Sequence, residues 1–380
     1  MSALPLIAPT ADAPASLPAL RRAFAEARRP PARRHRDIAE ALGVSEAALI
    51  AAHVGAWPAG ESPLRALRLR RDWPAAVAAL ESLGEVTALT RNASCVHEKV
   101  GRYREVSVSG PEGRGVGLVL GEAIDLRVFY AAWAHGFAVQ EATDRGLQRS
   151  LQWFDAQGTA IHKVFLREGS DPAAYEALVE RFAHDDQAPA ALPPVAAPTE
   201  TPDRPDAEVD LAAFHADWAA LRDTHDFFGL LRRHRLSRTQ ALRLAPPDFA
   251  RPVEPACTQE LLSRAAQQGT SIMVFVGNPG MIQIHTGLVR RVTVMGPWLN
   301  VLDPGFNLHL REDHIDRAWV VHKPTVDGVV SSLELFDAEG RTIAMLFGER
   351  KPGQAERCDW RELLASATGV ASGAASGCAA

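Results

Sequence analysis

Two stretches of this chain, LQWFDAQGTAI at 151–161 and LELFDAEGRTI at 333–343, carry Leu, Phe, Asp, Ala, Gly and Ile at the same places, 182 residues apart. The same offset lays IDLRVF (124–129) over FNLHLR (306–311), and an offset of 186 lays VGRYREVSV (100–108) over TGLVRRVTV (286–294). Self-similarity of this kind means one supersecondary unit used twice. The fold must therefore be two copies of a module, and a functional site must be something the copies share or something one of them has changed.

The repeated stretches alternate apolar and polar residues with a period of two and break at Asp-Ala-Gln-Gly or Asp-Ala-Glu-Gly, the mark of β-hairpins. Helical periodicity precedes them in ARRHRDIAEALGVSEAALIAA, RDWPAAVAALESLG, FFGLLRRHRLSRTQALRL and TQELLSRAAQQG, and follows them in DPAAYEALVERFA and CDWRELLASAT. Hairpins dominate and no strict βαβ alternation occurs. The expected class is α+β, two tandem copies of a module with a large antiparallel sheet flanked by helices. The first copy is expected over 21–184 and the second over 207–367, joined by a Pro-rich, semi-rigid linker at 185–206. The ends, 1–20 and 368–380, are expected to be disordered.

With 380 residues and 47% hydrophobic content, the chain can fill two cores. A net charge of -5 provides no global positive field for nucleic acid or an anionic membrane surface. Four scattered cysteines are too few to staple a chain of this size, the N-terminus has no basic region ahead of an apolar one, and no apolar run reaches about 18 residues. These features suit a reducing cytoplasm and no membrane insertion.

Three constellations bear on chemistry. In LRDTHDFFGLLRRHRL, Asp223 or Thr224 can cap a helix that carries His225 in its first turn, with Phe227, Phe228, Leu230 and Leu231 packing around it. A neutral imidazole among apolar side chains suits an axial ligand of haem iron; equally, it suits a helix-start histidine satisfied by Asp226 or a backbone carbonyl. His234 reads as a surface residue. In AIDLRVFYAAW, Arg127 shares a strand face with Asp125 and Phe129, where it either faces an anionic ligand or pairs with Asp125 at the surface. The third group is basic: Arg232, Arg233, His234, Arg235 and Arg238, with Lys323, Arg350 and Lys351. Such charges could rim a pocket for a dicarboxylate or form a solvated face, and bringing Arg238 back towards His225 requires a turn at RLSR.

RRHRDIAEALGVSEAAL (33–49) has the rhythm of a helix-turn-helix, with Gly43 at the turn and Ser45 capping the second helix. The acidic chain and a second-copy counterpart lacking that glycine favour a structural helix pair over a DNA reader. No phosphate loop, HExxH or GxSxG is present, and the thirteen histidines lack tight metal spacing.

Taken together, TRNASCVHEKVG, AIDLRVFYAAW, THDFFGLLRRHRLSRTQA, IMVFVGNPGMIQIHTG, WLNVLDPGFNLHL and HKPTVDGVVSSLELFDAEG resemble the haemin-degrading HemS/ChuX family in its long tandem form, over roughly residues 33–365. The resemblance implies one haem b bound in a cleft between the histidine-bearing helix and strands. It implies His225 as proximal iron ligand, Arg127 as distal residue with a catalytic part, and Phe129 and Phe275 as walls. Arg238, Lys323 and Arg350 would hold propionates or line the rim. Phe347 stands where the family has a tyrosine, which removes a hydroxyl from the pocket. The implied activity is haem binding in bacterial haem uptake and iron acquisition, either with oxidative, haem oxygenase-like degradation or as a carrier to a separate haem oxygenase. Partners so implied are an inner-membrane haem importer and an electron donor. A DNA-associated regulator using 33–49 is the distant alternative.

Overall fold

The computed structural model describes residues 16–28, 34–55, 63–110, 115–197, 202–351 and 353–370. The chain falls into two compact units, the first drawn from segments 1–90, 100–198 and 278–281, the second from 91–99, 199–277 and 282–380. The short segments 91–99 and 278–281 thus count with the opposite half of the sequence.

In the first unit, α1 (Leu17–Ala27), α2 (His35–Ala41) and α3 (Glu46–Ala51) precede β1 (Leu64–Arg68), α4 (Trp73–Ala79) and β2 (Gly84–Arg91). After β3 (Cys95–Gly101), whose residues 95–99 count with the second unit, come β4 (Val106–Ser109), β5 (Val116–Leu120), β6 (Asp125–Phe129), the long strands β7 (His135–Thr143), β8 (Gly146–Phe154) and β9 (Ala160–Ser170), and α5 (Pro172–Phe182). Strands β1, β7, β8, β9 and β2 pair antiparallel in that order, and β4, β5 and β6 form an antiparallel meander. Helix α1 begins inside the segment expected to be disordered: Ser16 caps it, and Leu20 and Phe24 are buried. Residues 1–15 and 371–380 of the expected disordered ends lie outside the described residues. Every residue of α3 is buried, so the helix pair at 33–49 offers no second-helix face to a DNA groove.

The second unit opens with α6 (Leu211–Ala219), α7 (Asp226–His234) and α8 (Arg238–Leu244), followed by β10 (Ala250–Val253), α9 (Cys257–Gln268), β11 (Ile272–Asn278) and β12 (Met281–Gly287). It continues with β13 (Val292–Met295), β14 (Trp298–Asp303), β15 (Phe306–Arg311), β16 (Arg317–Thr325), β17 (Gly328–Phe336), β18 (Thr342–Gly348) and α10 (Cys358–Thr368). Strands β10, β16, β17, β18 and β11 repeat the antiparallel order of the first unit, and β15 pairs with β3 and β14, which pairs with β13. The expected α+β class with large antiparallel sheets is what forms.

The repeat is conformational as well as sequential. Asp155 and Asp337 each accept a backbone N–H across their turn, from Thr159 and Arg341, at 2.8 Å. Gly158 and Gly340 take φ of 78° and 82°, a region that a side chain disfavours. Both hairpins then slip register at the same place, Trp153/Phe154 and Leu335/Phe336.

In the second unit, alternation along the strands gives the sheet two unlike faces. Ile272, Val274, Leu333, Leu335 and Leu346 pack with Leu261, Leu262, Trp360 and Leu363 of α9 and α10. On the other face, Val321 joins Phe214, Trp218, Phe227, Leu230, Leu231 and Leu242 of the α6–α8 layer. Among the described residues, no helix is long and apolar enough to cross a membrane.

Candidate functional site

The sheet face beneath α7 carries an unusual mixture. Cross-strand register sets Ser332, Phe347 and Met273 in one row and Glu334, Met345 and Phe275 in the next. Directly opposed residues share a face, so these six form one surface. Met273, Phe275, Met345 and Phe347 are only half-buried, and the Phe275 and Phe347 rings meet edge to face at 5.1 Å. The result is a soft, polarisable apolar floor that the helices leave partly uncovered.

Charge is built into its edge. Glu334 is fully buried, yet it accepts bonds from Arg238 Nε and Nη2 at 2.7 Å each, from Lys323 Nζ at 2.8 Å and from Ser332 Oγ at 3.2 Å. Burial alone would raise this carboxyl; the two cations outweigh it and hold the group well below the usual carboxylate range. Both cations also lie over the ring of Phe227, Lys323 at 4.7 Å and Arg238 at 5.0 Å. Lys323 is enclosed, with 3% of its side chain exposed, whereas Arg238 keeps 24%. Arg238 reaches this position because the chain turns sharply at Arg235, which is left-handed with φ 53°, and restarts at the Ser237 cap. This is the turn that RLSR had to supply.

His225 sits at the N-cap of α7, with its side chain 87% exposed. The carboxylate that holds it is Asp223, not Asp226: Asp223 Oδ1 accepts from the His225 backbone N–H at 2.8 Å and from Nδ1 at 2.6 Å. The backbone bond and then the ring bond lower the Asp223 carboxyl below its ordinary value. With the ring proton on Nδ1, the lone pair is on Nε2, which has no protein partner among the described residues. A carboxylate-oriented imidazole with a free outward nitrogen is how proteins present a histidine to a metal. The loop carrying it is tied to the sheet, since Val326 donates to Arg222 O at 3.0 Å, and Arg350 and the Gly353 N–H bond the neighbouring Asp327 at 3.2 and 3.1 Å.

Two expectations near this loop are corrected. Phe228 does not pack; it is 66% exposed, with Arg232 over its ring at 5.5 Å. His234 is not a surface residue: it is 12% exposed, bonds Asp217 at 2.8 Å and meets Phe214 edge-on at 5.4 Å.

Of the residues singled out from the sequence, His225, Arg238, Phe275, Lys323, Phe347 and Arg350 belong to the second unit. Arg127 and Phe129 lie on β6 of the first. Arg127 bonds the Asp125 carboxylate and the Leu126 carbonyl, with 29% of its side chain exposed, and the Phe129 N–H donates to Gly280 O at 3.0 Å. Sequence reasoning missed Asp223 as the group orienting His225, Glu334 as the anchor of both cations, and Met273 and Met345 in the floor. Among the described residues, no cluster of three or more His, Cys, Asp or Glu could hold a bare metal ion, so a metal at His225 would have to arrive with most of its own ligands.

A sequence profile described as the haemin-degrading HemS.ChuX domain matches the chain twice, over residues 43–182 and 235–367. The hemin transport protein HmuS of Yersinia pestis is 43% identical over 336 residues, 88% of this chain and 93% of that protein. A crystal structure of holo-PhuS, a heme-binding protein from Pseudomonas aeruginosa, is 48% identical and superposes with a TM-score of 0.86 over 92% of this chain and 99% of that one. The structure of ChuS, described as an E. coli heme oxygenase, is 39% identical, with a TM-score of 0.79 over 91% and 98% of the two chains. Two modules, each a helix layer on an antiparallel sheet, define a tandem-domain protein. The chain belongs to the haemin-degrading HemS/ChuX family.

Proposed function

We propose that this protein binds one haem b as cargo in bacterial haem uptake and iron acquisition, acting in the cytoplasm, with His225 Nε2 as the axial iron ligand. The observation that carries the reading is the His225–Asp223 pair, two residues before the Phe227 ring that Lys323 stands over, in the same unit as the half-buried floor of Phe275, Phe347, Met273 and Met345. Its donor set fits the group: a planar porphyrin needs apolar walls, the iron needs one nitrogen, and the propionates need cations at the rim. Arg350, held by a single 3.2 Å bond to Asp327, and the exposed edge of Arg238 are the cations best able to take a propionate. Lys323 would support them through Glu334. For Arg127 as distal residue and Phe129 as wall, the support is the family motif DLRVF.

Haem titration of the protein should give a Soret band saturating at about one haem per chain. His225→Ala should lose the wild-type spectrum and bind haem far more weakly; an unchanged spectrum and affinity would sink the ligand assignment.

That ChuS is described as a heme oxygenase favours a second step, oxidative opening of the bound ring with release of iron. Haem would supply the redox chemistry in that step, and the chain would hold it through His225. Loaded protein given an electron donor, with catalase present, should then lose its Soret band and yield a linear tetrapyrrole. Decay that catalase abolishes would leave the carrier role, delivering haem from an inner-membrane importer to a separate oxygenase.

A further inference from the structure

The first unit contains a basic concavity that the haem reading does not use. Its volume is about 360 Å³, and it is lined by Arg68, Arg70, Arg71, His135 and His184 together with Leu69 and Phe137. No carboxylate is among its lining residues. Arg68 lies at the end of β1, Arg70 and Arg71 follow it, His135 opens β7, and His184 lies just past α5.

Local structure fixes the backbone that carries these groups, and Arg70 and Arg71 present exposed side chains from it. The Arg70 N–H donates to Phe182 O at 2.8 Å, the Leu69 N–H to Gly136 O at 2.9 Å and the His184 N–H to Arg68 O at 2.9 Å. The Arg70 guanidinium stands over the Phe182 ring at 5.3 Å. Arg68 is committed: Nη1 bonds Asp186 and Nη2 the Ala188 carbonyl, so its charge supports the rim. Arg70 and Arg71 have no ion-pair partner among the described residues. His184 Nδ1 accepts from the Asp186 N–H at 3.0 Å, which puts its neutral-ring proton on Nε2 as a donor. His135 is half-buried, and its pKa is lowered, first by burial and then by Arg71 and Arg68.

The second unit shows that the scaffold does not require this charge. Strand register places Pro252, Val253, Glu254 and Pro255 at the positions of Arg68 to Arg71, and Arg317, paired with Asp316, at that of His135. The basic cluster therefore belongs to one copy of the module only.

We propose that this concavity is a binding site for a small oxyanion of phosphate-monoester class, held by Arg70, Arg71, His135 and His184. At about 360 Å³ it stands near the small end of ligand pockets, which run from about 300 to 1,000 Å³, and could hold a phosphate with a few carbon atoms attached. Guanidinium forks and an imidazole N–H match the oxygens of such a group. An anion there would also oppose the field of Arg68 and Arg71 on His135, so binding should raise the His135 pKa.

The test is an NMR titration of the full chain, without haem, with inorganic phosphate and with ribose 5-phosphate at constant ionic strength set by chloride. Expected is a saturable, one-site shift of the His135 ring signals, with the His135 pKa moving up. Arg71→Ala should weaken binding by about tenfold or more, and Arg71→Lys by less. Tighter binding of the ester would identify an organic phosphate as the ligand; equal binding would identify the free anion. The proposal is overturned if chloride alone reproduces the shift, or if Arg71→Ala binds as the wild type does. Haem titration of Arg71→Ala should be unaltered, so failure here leaves the haem reading untouched.

Discussion

Equivalent positions in the two units have kept the sheet and exchanged the charges on it. In the first unit the two cross-strand rows read Ser150, Phe165, Thr87 and Gln152, Lys163, Leu89. In the second they read Ser332, Phe347, Met273 and Glu334, Met345, Phe275. Above them, the residue following the helix cap is Glu46 after Ser45 in one and Arg238 after Ser237 in the other. The first unit thus pairs a helix carboxylate with a strand ammonium, Glu46 with Lys163, and the second a helix guanidinium with a strand carboxylate, Arg238 with Glu334. At the position of Lys323 the first unit has Glu141, held by Arg28 and His35 at 2.5 and 2.8 Å. Both solutions bury an ion pair between helix and sheet, but only the second combines it with a half-buried, methionine-lined apolar floor and an exposed histidine at the helix start. A duplicated fold can specialise by rewriting the layer between sheet and helices while the strand order stays fixed.

The largest expected effect tests whether the two charge layers are equally costly to break. Glu334→Gln strands two cations, one of them a guanidinium that cannot shed its proton, and should cost about 3–5 kcal/mol. Glu46→Gln takes a carboxylate from Lys163, which, unlike a guanidinium, can respond by losing its proton, so its cost should be smaller. Urea unfolding of the two variants at pH 7 measures both. A Glu334→Gln cost no greater than that of Glu46→Gln would mean that the second unit's layer is an ordinary ion pair.

What was readable in the sequence follows from periodicity. The hairpins and the helices named from the sequence follow short periods and the duplication shows as self-similarity at an offset of 182, and these stand where the patterns put them, whereas α1 and α6 were not expected. The errors at α7 come from reading composition where spacing should have ruled. Phe227, Leu230, Leu231 and His234 fall on one helical stripe and are packed, whereas Phe228 falls off it and is exposed. The charge exchange was out of reach for a different reason. Arg238 and Glu334 are 96 residues apart, and Glu46 and Lys163 are 117 apart, so neither pair can be named before strand register is known. Asp223 was within reach, two residues from His225, but whether it bonds the helix or the ring depends on where the helix starts.

A smaller effect separates Glu334 from its surroundings by pH. Its carboxyl is held well below the unfolded value of about 4.3, because the attraction of Arg238 and Lys323 exceeds the cost of burial. A depressed folded pKa contributes stability that is complete above about pH 4.3 and is lost as pH falls from there towards the folded value. Each unit of that descent removes up to about 1.4 kcal/mol. The stability gap between wild type and Glu334→Gln, measured by urea unfolding from pH 6 to pH 3, should therefore be constant down to about pH 4.5 and then narrow. A gap that is flat to pH 3 would mean that Glu334 titrates equally in both states, and that its neighbours do not bias its proton.

The smallest effect concerns the turn that delivers the helix residue of each charge layer. Between α2 and α3 the left-handed position is Gly43, φ 66°; between α7 and α8 it is Arg235, φ 53°. A side chain in this region costs roughly 1 kcal/mol relative to glycine, so the second unit carries strain at a turn where the first carries none. Arg235→Gly should stabilise the protein by up to about 1 kcal/mol, less the extra chain entropy that glycine brings to the unfolded state. Gly43→Ala should destabilise by about the same amount, and since a Cβ at Gly43 would meet nothing within 4 Å, that change reads backbone conformation alone. Thermal unfolding of both variants checks the pair. If Arg235→Gly gains nothing while Gly43→Ala loses stability, the arginine side chain is compensating for its backbone, and the two turns are alike in geometry but not in energy.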